Sequence, residues 1–135
     1  MRFPISITHN FVLEPIMHTF GAKPEVCYAE IEQGALHVRF GAWFDQTIPL
    51  GQIASLAPSE WPWWGGLGVK LHDHGVGVVG STDGVVHVKL KAPVQVEVVF
   101  KVECSQLWIS FEDPNGFLKA LSEATGVPIS EHAKF

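Results

Sequence analysis

Two clusters of side chains near the middle of this chain have types and spacings that chemistry uses. His72-Asp73-His74 sets two imidazoles two positions apart with a carboxylate between them. On a strand, residues i and i+2 point the same way. With a third ligand such as His87 from across a hairpin, the pair would then form a facial metal set. His-Asp-His-Gly also has the composition of a turn, which would leave His72 and His74 as weak metal candidates on the surface. No cofactor is expected. The second cluster is Trp61, Trp63 and Trp64, which holds three of the five tryptophans of the chain within four positions. On a loop stiffened by Pro62 and loosened by Gly65 and Gly66, such rings either meet a partner, as interface hot spots do, or fold back as a plug over an open barrel end.

Other chemistries find weaker support. Gly65-Gly66-Leu67-Gly68 is glycine-rich but lacks the helix and the Lys-Ser/Thr of a phosphate cradle. Cys27 and Cys104 are widely separated and have no CxxC spacing, so they read as buried thiols rather than zinc or redox ligands. No nucleophile and base sit at a spacing that identifies a reaction, and no catalytic residue is assigned. Lys70, Lys89, Lys91 and Lys101 fall among Glu97 and Glu103, which makes a solvated face of mixed charge. A net charge of -5 opposes a sequence-independent grip on nucleic acid or acidic lipid, which needs a concentrated positive field.

The elements that must position these residues are mostly strands. With 135 residues, 47% of them hydrophobic and 17% charged, the chain reads as a single domain, 1–135, with its own core. Its apolar stretches are broken by Gly, Pro and His before they reach membrane-spanning length, and the first residues lack a signal-peptide core. A cytoplasmic protein is the expectation.

Phe11 to Phe20, with Pro15, suggests a bent or edge strand, followed by a turn at Gly21-Ala22-Lys23-Pro24. Glu25 to Glu32 follows, with Cys27, Ala29 and Ile31 as its core face. Gln33-Gly34 turns into Ala35 to Phe40, where Leu36, Val38 and Phe40 alternate with His37 and Arg39. Strands at Trp43 to Leu50 and Ile53 to Leu56 come next, then the tryptophan loop, then Val69 to Leu71 and Val76 to Val79. Asp83-Gly84, between β-branched runs, predicts a hairpin joining Val76–Val79 to Val85–Lys91. Ala92-Pro93 predicts a turn, Val94 to Glu103 a strand, and Cys104 to Phe111 a last strand with Leu107, Ile109 and Phe111 inward and Gln106, Trp108 and Ser110 outward.

The ending is the clearest segment. Asp113 can cap free N–H groups, and Pro114 at the first helical position wastes none. Phe117, Leu118, Leu121 and Ala124 form one apolar stripe, and Gly126 with Pro128 ends the helix at about residue 125. The expected architecture is mainly β. It is an antiparallel barrel or two packed sheets of about seven to nine strands, capped by this C-terminal α-helix.

That order of elements resembles the pleckstrin-homology-like (PH-like) barrel. The texture of Leu36–Phe40, Ile48–Leu56, Gly80–Val86 and Ile109–Pro114 is similar to small bacterial PH-like domains over about residues 25–124. The resemblance implies a non-enzymatic module that binds a protein, a peptide or a second copy of itself. Headgroup-binding members have a strongly basic first loop. Gly21-Ala22-Lys23-Pro24 offers only Lys23, so neither strong membrane nor phosphoinositide binding is expected. Trp61, Trp63 and Trp64 are the expected contact residues. The alternatives are an apolar small-ligand barrel with tryptophans at its mouth, and a metal-dependent enzyme using His72 and His74.

Overall fold

A computed structural model describes residues 1–7, 27–41, 44–62, 68–98 and 101–132. The described residues form two sheets and one helix. The first sheet has strand order β1-β2-β3-β4, made of β1 (Arg2–Pro4), β2 (Cys27–Glu32), β3 (Ala35–Phe40) and β4 (Phe44–Pro49). The second has order β5-β8-β9-β7-β6, from β5 (Ile53–Pro58), β6 (Gly68–His72), β7 (Gly75–Val79), β8 (Val85–Glu97) and β9 (Lys101–Ser110). A 3-10 turn at Leu50–Gln52 carries the chain from one sheet to the other. The arrangement is not a closed barrel. It is mainly β and in two sheets, as expected, with the helix α1 (Pro114–Thr125) laid across it.

Period-two alternation decides which residues face inward. In β3, Leu36, Val38 and Phe40 are buried while His37 and Arg39 are half-exposed, and in β2 Cys27 and Ala29 are buried opposite Phe40 and Val38. Across from them stand Val76, Val78, Val86, Val88, Leu107 and Ile109 of the second sheet, in one continuous core. The helix closes that core as its sequence requires. Asp113 accepts a hydrogen bond from the Gly116 N–H at 3.0 Å, and Gly126 ends the helix in the left-handed conformation. Phe117 stacks on Phe111 at 4.0 Å and meets Phe3 edge-on at 5.5 Å, so one ring touches both sheets. Ala124, expected on the apolar stripe, is exposed.

Four expectations need correction. Asp83-Gly84 does turn the chain, with Gly84 at φ +68°, but β7 and β8 are not a hairpin. β9 lies between them, and β7 pairs with β9 in parallel, so the sheet is not wholly antiparallel. Alternation and turn residues identify strands without naming their neighbours. Second, Ala92-Pro93 is not a turn between strands. It belongs to an irregularity in one long β8, where pairing with β9 breaks after Lys89 and resumes at Val94 opposite Cys104. Third, the strand expected at 94–103 is the two arms of a hairpin, with Val96 facing Val102. Its sequence reads nearly the same in both directions, so a continuous strand and a folded one share a pattern. Fourth, Arg2–Pro4 forms a strand that its short apolar run did not announce. The strand expected at Phe11 to Phe20 and the turn at Gly21–Pro24 lie outside the described residues.

Candidate functional site

Of the residues singled out by their chemistry, Trp61, His72 and His87 lie on the outer face of the second sheet, and His74 lies in the β6–β7 turn. Neighbouring strands bring Lys70, Gly77, Trp108, His87 and Ala57 into one row across β6, β7, β9, β8 and β5. The next row holds His72, Gly75, Gln106 and Lys89. Two glycines in β7 shape this face. A Cβ on Gly77 would lie 2.5 Å from the Trp61 ring, and one on Gly75 would lie 2.8 Å from the Trp108 ring. Only bare backbone leaves room for both indoles.

Trp61 is 4% exposed and packs with Trp108, Val79 and Val85 in a second, smaller core. It therefore covers a sheet face rather than a barrel end. Trp108 and Ser110, expected to point outward, do lie on the outer face but are buried there. Trp63 and Trp64 fall outside the described residues.

The histidines surround Trp108 instead of meeting one another. Its ring lies 5.2 Å from that of His72 and 5.1 Å from that of His87, so the indole stands between the two imidazoles. Gln106 ties the group together: its amide N–H donates to the Asp73 carbonyl at 2.5 Å, and its amide oxygen lies 2.7 Å from His87 Nε2. Asp73 and His74 form a turn with φ +44° and +59°, positive at both positions, as the type I′ two-residue hairpin turn requires. Ser105 holds that turn by donating its N–H and hydroxyl to the His74 carbonyl at 2.9 and 3.0 Å. His72 ends a strand and His74 sits in the turn, and no group of three His, Cys, Asp or Glu is gathered among the described residues. Cys27 and Cys104 are buried and not in a disulfide, and burial pushes the Cys104 thiol up from its ordinary pKa.

Beside the turn an open cleft of about 330 Å³ is lined by Leu71, His72, Asp73, His74, Gly75, Val102 and Glu103. Leu71 is 52% exposed, one of three large apolar side chains among the described residues that are exposed, with Met1 and Ile129. It sits on β6, the outermost strand of the sheet. The opposite outermost strand, β5, is partly covered by the C-terminal segment, where Ile129 bridges to Leu56 and the Ser130 N–H donates to the Leu56 carbonyl at 2.7 Å. Among the described residues, no strand pairs with the outer side of β6.

The signal for this edge was present in the sequence as Val69-Lys70-Leu71 before a turn. What periodicity alone does not reveal is that this strand ends a sheet. Comparison with family models, with curated proteins and with solved structures finds no match to this chain. No helix among the described residues is long and apolar enough to cross a membrane.

Proposed function

We propose that this protein is a non-enzymatic interaction module of PH-like type that binds a protein or peptide partner by taking it as an added strand along β6. The observation that carries this reading is an edge that no strand among the described residues pairs with, in which an exposed leucine adjoins an open cleft. Edge strands present rows of backbone donors and acceptors, and many modules bind extended peptides through them. The register says which groups those are. Around a two-residue turn, His72 and Gly75 exchange hydrogen bonds, as do Lys70 and Gly77, so the N–H and C=O of Val69 and Leu71 face away from β7.

Proline makes the test clean. At position 71 it removes an N–H that the β6–β7 ladder does not use, so Leu71→Pro blocks an incoming strand while leaving the hairpin bonds intact. Random extended peptides are displayed and selected on the wild-type chain. The recovered peptides are expected to lose about tenfold or more in affinity for Leu71→Pro, whose melting temperature stays near that of wild type. Binders that ignore Leu71→Pro but are lost in the Trp63→Ser, Trp64→Ser double variant would move the site to the tryptophan loop.

A further inference from the structure

We infer that the β6 edge selects an extended segment in which one acidic residue is flanked on each side by apolar residues. This deepens the edge-binding reading above and rests on it. Val69 and Leu71 stand opposite Val78 and Val76, which are buried in the main core, so both lie on the inner face of the sheet. Val69 packs against that core, and Leu71 reaches the cleft with Val102 on its wall. A strand added to β6 sets two of its own residues beside Val69 and Leu71 on this inner face, where apolar side chains extend the core outward. The residue between them lies on the outer face, beside Lys70. Because side chains alternate in either strand direction, the pattern is the same for a parallel or an antiparallel guest.

Lys70 supplies the charge selection. It is exposed, has no ion pair with any described residue, and its cross-strand neighbour is Gly77, which offers no side chain. A carboxylate opposite Lys70 forms a cross-strand ion pair, whereas a cation is repelled. The same lysine disfavours a second copy of this chain as the guest. In the two-fold antiparallel register centred on residue 70, Val69 and Leu71 exchange backbone bonds between copies, and the two Lys70 side chains stand directly opposite each other. Like charges placed so are destabilising, and lysine on an edge commonly guards against self-pairing.

The experiment repeats the peptide selection on the wild-type chain, Lys70→Glu and Leu71→Pro, with sequencing of each pool. Wild type is expected to enrich apolar-acidic-apolar triplets, and Lys70→Glu to replace the central acid with Lys or Arg. Synthetic peptides with Val-Glu-Val and Val-Lys-Val centres should differ by about threefold or more in affinity, reversing in order on Lys70→Glu. A pool that is lost on Leu71→Pro but has no charge preference at the central position overturns this inference and leaves edge binding in place. A pool indifferent to Leu71→Pro, or an empty pool, overturns both.

Discussion

Ser110 shows how much one side chain can hold in this fold. It is fully buried, and its hydroxyl accepts from the Gly80 N–H at 2.9 Å and donates to the Ser6 carbonyl at 3.1 Å. Its own carbonyl accepts the Ser6 N–H at 2.9 Å. Three segments that never meet in sequence, the N-terminal strand, the end of β7 and the end of β9, are thereby tied at one residue. Alternation assigned Ser110 to the outward side of β9, which is correct for the face and wrong for exposure. Nothing in the residue type announces that another segment crosses over it. Ser110→Ala removes the hydroxyl and leaves a buried donor and a buried acceptor without it, a loss of about 1–3 kcal/mol. Urea unfolding measures this, and a change below about 0.5 kcal/mol, the range of ordinary surface substitutions, would refute the assignment. At the same scale, the indole of Trp108 stands between His72 of the His72–His74 pair and His87, the third ligand that a facial set would need.

Among the elements, the helix was the most legible in the sequence and the second sheet the least. Asp113, Pro114 and Gly126 each act within a few residues of themselves, so their effect could be worked out from the chain alone. The β2–β3 hairpin was equally readable, because Gln33 and Gly34 both take positive φ and fix its register. The order β5-β8-β9-β7-β6 depends on contacts between distant segments, and local pattern contains no record of them. The candidate edge shares this property: Val69-Lys70-Leu71 has the pattern of a strand, but its position at the rim follows from β7 choosing β9 as its other neighbour. The helix matters here because it closes the core that holds both sheets, through Phe117, Leu118 and Leu121. Leu121→Ala should cost about 2–5 kcal/mol by opening a cavity there. Lys119→Ala, on the exposed side of the same helix, should stay within about 0.5 kcal/mol in the same denaturation experiment. Equal effects would mean the helix is not seated on the sheets.

Seen whole, the molecule has two sheets sharing one core, a helix across them, and rims that are treated differently. The β5 rim receives Ile129 and Ser130, β1 is short and ends at Pro4, and the apolar residues Phe44 and Ile48 of β4 are buried. Only β6, of the four rims among the described residues, combines an exposed large apolar side chain with an adjoining cleft. Such an edge invites aggregation unless it is charged or occupied, and Lys70 provides the charge. The most direct measurement is residue-resolved amide hydrogen exchange along β6, in the isolated chain and with a selected peptide bound. In the isolated chain the Val69 and Leu71 amides should exchange much faster than those of Lys70 and His72, which donate to β7, and peptide should slow Val69 and Leu71 alone. If Val69 and Leu71 are already as protected as Lys70, or stay fast when peptide is bound, β6 is not the binding edge.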